Sequence, residues 1–416
     1  MRTARYPQHM TVRSRLPGTR RRSVPVIVAA TVTALTAALL PPVAAAEEYP
    51  PADPVGKIAY PELASIMTEA GHALRYSMAV VAADPGREYE QGTVEADLRQ
   101  GVLSLSEEYQ KQVVTSAKTM LDDPKARQEN FGQYAEIDPE KYASLGFGNV
   151  FTSEYVKFDA KSLAAGLRAR AEEMKAEHEA EEQRAIDYAK QIGIGLPMPR
   201  LSSLDLRIDR VVCVDETGPD FWEWVNADRI DVGGVSLDHR GRTRPVSSQI
   251  VGHFNDGTVK SYPAPGLLHS RHDLTTSGEW PRTYYGVIML AEIDDGGGFA
   301  QAIRDVWLTI RDKVVEVIIE WIVDLLEGWL GTSFAEAIGE AVAWLIGGFF
   351  EWLANLFNDD VFTPKTVRVD LPSPYEFMYT SASSYGWTNY RLPTRTLTYT
   401  GFGGQYRLNY HWQVNP

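Results

Sequence analysis

Two apolar stretches decide how this chain folds: VVEVIIEWIVDLLEGWL at residues 314–330 and FAEAIGEAVAWLIGGFFEWLANLF at residues 334–357. In the first stretch, acidic residues recur every three or four positions, which places them on one face of a helix. Gly331 ends that helix, and Ser333 with Glu336 forms a capping box for the next one. The sequence therefore predicts an amphipathic helical hairpin over residues 301–358.

The charges of this hairpin oppose a membrane-spanning role. The longest uncharged run of its second helix, Ala341 to Phe350, covers about half of the ~20 residues that a span requires. Each acidic residue at the membrane centre costs roughly 2.5–3.5 kcal/mol. We therefore expect no transmembrane helix at neutral pH, and the hairpin is predicted to cover a β-sheet core as a lid.

The alternative role for the hairpin is contact with a membrane surface or a partner. Indole rings would carry that contact, because they favour the membrane interface and supply rigid area. The candidates are Trp321, Trp329, Trp344 and Trp352. Surface-binding helices usually carry Lys or Arg on the wet face, whereas these carry Glu and Asp. Acid or a receptor would therefore have to open the lid first.

The N-terminal sequence predicts export. Residues 1–46 contain seven Arg and no acidic residue, an apolar run from Val24 to Leu40, and a final Ala44-Ala45-Ala46. This order is typical of a secretory signal peptide, with cleavage expected after Ala46. A membrane anchor is disfavoured because prolines interrupt a run that is already short. The arginines leave both the Sec and the twin-arginine (Tat) export route open.

Composition limits the classes of partner. Without residues 1–46 the chain has 34 basic and 55 acidic residues, a net charge of −21. Such a surface repels phosphate backbones, so nucleic-acid binding is excluded on electrostatic grounds. Cys213 is the single cysteine, so the chain forms no internal disulfide and its stability must come from burial. About 370 residues are enough for two or three domains.

Residues 47–199 predict a helical region. Apolar residues recur at three and four positions over residues 61–74 and again over residues 94–121. Asp159 is placed as the N-cap of a long Ala- and Glu-rich helix. The Gly- and Pro-rich residues 193–199 then mark a boundary.

From residue 200 the pattern changes to alternation. Residues 204–213 predict a strand with a bulge at Arg210, and further strands are expected at residues 229–238, 247–254 and 284–293. Together they predict an antiparallel β-sandwich over residues 200–300. Residues 359–416 predict an aromatic-rich β C-terminus with a hairpin turning at Gly401 to Gly404. The expected fold class is therefore α+β.

Acidic residues follow two of the predicted strands. Carboxylates from several loops at one end of a sandwich are what Ca²⁺ requires, because it takes six to eight hard oxygen ligands. The sequence therefore predicts a calcium site, with solvated acidic turns as the alternative. The candidate ligands are Asp215, Glu216, Asp220, Asp294 and Asp295.

Candidate catalytic residues are few. His269, His272 and Asp273 lie in one short segment, with His253 upstream. No motif places a third zinc ligand, and no nucleophile elbow, zinc-protease motif or phosphate-binding Gly loop occurs. A hydrolase using His269, His272 and Asp273 would require a pocket in which the histidines converge.

Three segments and the apolar hairpin together form a recognisable pattern. The segments are residues 212–217, 290–299 and 359–364. The region from about Arg207 to Pro364 resembles a recurrent module of secreted bacterial proteins of unknown function. The resemblance implies that the sandwich and the hairpin form one unit, and it assigns no functional residue.

Three functional hypotheses follow. The leading one is a secreted, extracellular, non-enzymatic protein that binds a surface, an envelope or a partner, with toxin-like or acid-triggered membrane activity as a variant. Its partner would be a protein, a glycan or a membrane surface. The alternatives are a secreted hydrolase using His269, His272 and Asp273, and an extracellular structural or assembly component.

Overall fold

A computed structural model of the protein describes residues 49–52, 58, 61–151, 153, 159–191, 200–217, 228–240, 242–275, 280–292, 306, 309–310, 313–318, 320–322, 334–357, 362–374, 376–378 and 385–416. These residues form helices and antiparallel sheets, which confirms the predicted α+β class. The predicted signal peptide, residues 1–46, lies outside the described residues.

Several of the helices before residue 200 begin at side-chain caps. Thr93, Ser106, Asp123 and Asp138 each accept a hydrogen bond from a backbone amide in the first turn of their helix. The predicted cap at Asp159 is confirmed, since its carboxylate accepts from the Ser162 amide at 3.0 Å. The helices are α1 (Pro61–Ala83), α2 (Val94–Ser104), α3 (Glu107–Asp122), α4 (Pro124–Phe131), α5 (Pro139–Leu145), α6 (Phe147–Val150) and α7 (Ala160–Gln191).

Among the described residues nine strands follow, with helix α8 (Phe334–Phe357) between the sixth and the seventh. The strands are β1 (Ser203–Asp215), β2 (Asp228–Leu237), β3 (Thr243–Phe254), β4 (Val259–Ser261), β5 (Leu267–Asp273), β6 (Arg282–Glu292), β7 (Lys365–Leu371), β8 (Arg395–Gly401) and β9 (Gly404–Asn415). Sheet A has the order β4-β1-β9-β8, with β5 also paired to β1. Sheet B has the order β3-β2-β6-β7, and every pairing in both sheets is antiparallel.

Several local predictions are confirmed by the strand register. The pairing of β1 with β9 shifts between Ile208 and Arg210, where the bulge was expected. Strands β8 and β9 turn between Gly401 and Gly404. Strand β9 pairs with β1, and β7 pairs with β6. The strands of residues 200–300 and 359–416 therefore build one pair of sheets.

The two sheets share one hydrophobic core. Leu206 of sheet A and Ile288 of sheet B are both fully buried in it, together with Tyr284, Tyr399 and Trp412. At Gly286 the sheets approach so closely that a Cβ atom would lie 2.5 Å from Leu206 Cδ2. A side chain at this position would have to displace the Leu206 side chain.

The opposite face of sheet B is covered by helix α8. Tyr285, Val287 and Met289 of β6 belong to a second hydrophobic core with α1 and α8. Small residues allow the close contact, since a Cβ at Gly339 would lie 3.2 Å from Tyr285 Cε2, and one at Gly71 of α1 would lie 3.5 Å from Leu345 Cδ1. Helix α8 therefore lies between α1 and sheet B, with apolar neighbours on both sides.

The tryptophans of the apolar segments point into this second core. Trp321 is buried and stacks on Phe151, with 4.2 Å between ring centroids. Trp352 is buried and donates from Nε1 to Asn130 at 2.9 Å, whereas Trp344 is half-buried. Trp329 lies outside the described residues. Of the helices that the structure describes, none is both long and apolar enough to cross a membrane.

A buried ion cluster fastens β5 to β1. Asp205 of β1 is fully buried, and its carboxylate accepts from Arg271 of β5 at 2.7 and 2.9 Å and from Arg207 at 2.6 Å. Burial by itself raises the pKa of Asp205, but the hydrogen bonds from both guanidiniums outweigh it, so the net pKa is lowered. The cluster therefore stabilises the fold when Asp205 is ionised.

The first prediction concerns helix α8. Leu353→Ala is expected to lower the free energy of unfolding by about 2–5 kcal/mol, because Leu353 is fully buried between layers and its loss leaves a cavity. The matched control is Leu103→Ala, since Leu103 is 39% exposed, and it should cost less than about 1 kcal/mol. Chemical unfolding measures both, and equal costs would contradict an interior position for α8.

The second prediction concerns pH. Asp205→Asn should cost about 3 kcal/mol at neutral pH, because it removes the buried anion of the cluster and leaves the guanidinium of Arg207, whose side chain is 11% exposed, without it. Since the folded pKa of Asp205 is lowered, its stabilisation is present above the unfolded pKa of about 3.9 and is lost as the pH falls through the folded value. The difference between variant and parent in urea unfolding should therefore shrink in acid. An equal difference at neutral and acid pH would refute this, and Asp187→Asn on the exposed face of α7 is the control.

Candidate functional site

A pocket of about 130 Å³ opens where the turn after β2 meets the end of β5. We call it the edge pocket, because β5 pairs only with β1 and so forms an edge of sheet A. The lining residues are all polar or charged: Asp238, His239, Arg242, Arg244, His272 and Asp273. It therefore brings together residues from both sheets.

Contacts between the sheets hold this edge in place. His269 of β5 is buried, and its Nε2 lies 3.1 Å from the Gly233 carbonyl of β2. The Gln249 side chain of β3 donates to the Leu268 carbonyl at 3.3 Å. Because Leu204 points into the shared core and pairs with His272, the His272 side chain also points inward.

His272 is the most deeply placed lining residue. It is 1% exposed, and neither ring nitrogen has a hydrogen-bond partner among the described residues. Its ring lies against aromatic rings, with centroids 4.8 Å from Tyr284 and 6.5 Å from Trp412. Burial lowers its pKa to about 4, with Arg244 adding to the effect and Asp238 opposing it. His272 is therefore a neutral imidazole at neutral pH.

His239 faces the pocket from the turn after β2. Its Nδ1 lies 3.2 Å from the Tyr284 hydroxyl. Burial, followed by the nearby Arg282, lowers its pKa to about 4. The edge pocket therefore contains two neutral imidazoles, each able to donate or accept one hydrogen bond at each nitrogen according to its tautomer.

The carboxylates of the pocket are already engaged. Asp238 accepts from the amides of Arg240 and Arg242 at 3.0 and 3.1 Å and from Arg242 Nε at 2.8 Å. Asp273 accepts from the amide and the hydroxyl of Thr275. The exposed side chain of Arg244 forms no hydrogen bond or ion pair with another described residue, although its charge helps to lower the pKa of Asp273. Its guanidinium is therefore the cationic group of the pocket that no hydrogen bond holds among the described residues.

The predicted catalytic residues are only partly brought together. His272 and Asp273 line the edge pocket, but His269 does not, and His253 is exposed on β3 where it pairs with Arg229. None of the described lining residues is a serine, threonine or cysteine. The convergence of His253, His269 and His272 that the hydrolase alternative required is therefore not found among the described residues.

Four lining residues were not predicted: Asp238, His239, Arg242 and Arg244. Their signal is the stretch DHRGRTR at residues 238–244, which places one histidine and three arginines around a glycine. A dense cationic turn between two strands is a candidate anion site. The contact between this turn and β5 depends on tertiary packing.

The predicted calcium ligands lie at a different place. Asp215 is exposed at the end of β1, and the amide of the buried Glu216 donates to Asp256 at 2.8 Å. Asp220, Asp294 and Asp295 lie outside the described residues. Within the described part of the chain, no group of three or more His, Cys, Asp or Glu side chains could hold a metal ion. The calcium site therefore stays a prediction.

No family model matches this chain, and no curated protein or solved structure matches it. The chemistry of the edge pocket is therefore the observation that indicates a function.

Cys213 is not a candidate nucleophile. It is fully buried, and burial raises the pKa of its thiol to about 12. Because the thiolate is the reactive form, we expect the native protein to resist a maleimide reagent at neutral pH, and the unfolded protein to be labelled at one site. Mass spectrometry measures both states. Rapid labelling of the native protein would show that Cys213 is accessible.

Proposed function

We propose that the mature protein is a secreted, non-enzymatic binding protein that captures an anionic group of an extracellular partner in the edge pocket. In this proposal the two sheets form a β-sandwich, and α8 with the preceding apolar segment is its lid. The observation that carries the proposal is His272, whose buried ring lines the pocket with two unpartnered nitrogens beside Arg244.

The charges and donors favour an anion over a cation. A guanidinium presents a planar fork that matches the oxygens of carboxylate, sulfate or phosphate groups. The Arg244 side chain forms no hydrogen bond with another described residue, and Arg242 pairs with the carboxylate of Asp238. A metal cation would have to compete with these arginines for two carboxylates that already accept hydrogen bonds.

The size of the pocket limits what enters it. A volume of about 130 Å³ corresponds to about four water molecules at ~30 Å³ each. Pockets for drug-sized ligands are larger, about 300–1,000 Å³. The edge pocket is therefore suited to one acidic group, while the rest of the partner contacts the surrounding surface.

Neither the hydrolase alternative nor the membrane-active variant has an observation in its favour among the described residues. A hydrolase would need a nucleophile or an activated water, and the imidazoles with a pKa near 4 are weak bases at neutral pH. A membrane role would need the lid to open, since Trp321 and Trp352 are buried in the second core. A binding protein requires neither a nucleophile nor an open lid.

The fourth prediction tests anion capture. Sulfate should bind saturably to the mature protein, and Arg244→Gln should weaken this binding about tenfold or more, because a charge-assisted hydrogen bond contributes about 1.5–3 kcal/mol. The matched control is Arg395→Gln, an exposed arginine on β8 that does not line the pocket. Isothermal titration calorimetry measures the affinities. Absence of saturable binding, or equal binding by both variants, would contradict the proposal.

A further inference from the structure

Two imidazoles face the edge pocket from different sheets. His272 lies on β5 of sheet A, and His239 follows β2 of sheet B. Their charged or titratable neighbours come from every element around the pocket. These are Asp238, Arg240 and Arg242 from the turn after β2, Arg244 from β3, His269 and Asp273 from β5, and Arg282 and Tyr284 from β6.

In the absence of an anion these surroundings oppose protonation of both rings. His272 is buried and His239 is half-buried, and the arginines on β3 and β6 repel a further positive charge. Asp238 favours protonation of both rings, but its carboxylate already accepts hydrogen bonds from Arg242 and from two backbone amides. The unpartnered nitrogens of His272 thus lack an anion that would stabilise the imidazolium form.

An anion in the pocket changes this balance. A negative charge close to a histidine stabilises its protonated form and raises its pKa. Thermodynamic linkage is reciprocal, so a proton that is taken up on binding must also strengthen the binding. Each imidazolium would add a donor and a charge to those of Arg244.

We propose that the edge pocket takes up a proton together with its anion, so that capture is strong in acid and weak at neutral pH. This inference rests on the proposed function, and it narrows the class of ligand. Carboxylic acids lose their charge near about pH 4, whereas sulfate esters and the first ionisation of phosphate esters keep theirs. The group that the pocket suits is therefore a tetrahedral oxyanion, a sulfate or phosphate ester.

The test uses the mature protein with inorganic sulfate as the probe, in chloride salts of cationic buffers at constant ionic strength. Affinity should rise as the pH falls from about 7.5 to about 5.5, by up to about tenfold per pH unit for each proton taken up. Calorimetry in two buffers of different ionisation enthalpy, at one mildly acid pH, should show net proton uptake on binding. Near pH 4, where carboxylic acids lose their charge, acetate should bind more weakly than sulfate.

Variants test whether the proton taken up on binding goes to the histidines of the pocket. His272→Gln and His239→Gln keep a hydrogen-bonding side chain that does not titrate, so each should flatten the pH dependence. His253→Gln, at an exposed position on β3 outside the pocket, should leave it unchanged. Proton uptake by the parent protein tests the proposal even where a variant fails to fold.

The outcomes separate the two proposals. Sulfate binding with no pH dependence and no proton uptake would overturn the proton coupling and leave anion capture intact. No sulfate binding at any pH would overturn both. Acetate binding more tightly than sulfate in acid would overturn the assignment to a tetrahedral oxyanion.

Discussion

The contact between α8 and sheet B is the interaction on which the rest of the structure depends. Strand β6 is buried on both faces, with Ile288 in the core shared with sheet A and Tyr285 and Met289 in the core shared with α8. Burial on both faces explains why β6 is almost continuously apolar. It also explains the apolar helix, which has hydrophobic neighbours on two sides. Each large apolar side chain buried there contributes about 1.5–3 kcal/mol.

This layered core supports the edge pocket through a short chain of contacts. Strand β2 pairs with β6, and the turn that follows it is fixed by Asp238 through backbone amides. On the other side, Arg271 binds Asp205 of β1 immediately before His272. The pocket is thus assembled from segments that are held independently of any ligand. A site whose groups are already ordered loses less conformational entropy on binding.

Sequence patterns predicted the local features well, because those features depend on neighbouring residues. The bulge at Arg210, the cap at Asp159 and the turn at Gly401 to Gly404 are of this kind. Strand β5 was not predicted, since its register is set by pairing with β1. The pocket could not be predicted either, because His239 and His272 meet only when β5 docks beside the β2–β3 turn. The arrangement of the two hydrophobic cores likewise follows from long-range contacts.

Hydrogen exchange monitored by mass spectrometry, with and without sulfate, tests the central claim most directly. An interior α8 predicts that the amides of residues 334–357 exchange as slowly as those of β6 under both conditions. Anion capture predicts slower exchange with sulfate in residues 237–245 and 267–275. Rapid exchange of α8 in a protein whose sheets stay protected would contradict the account. So would protection of α8 by sulfate with no change at the pocket.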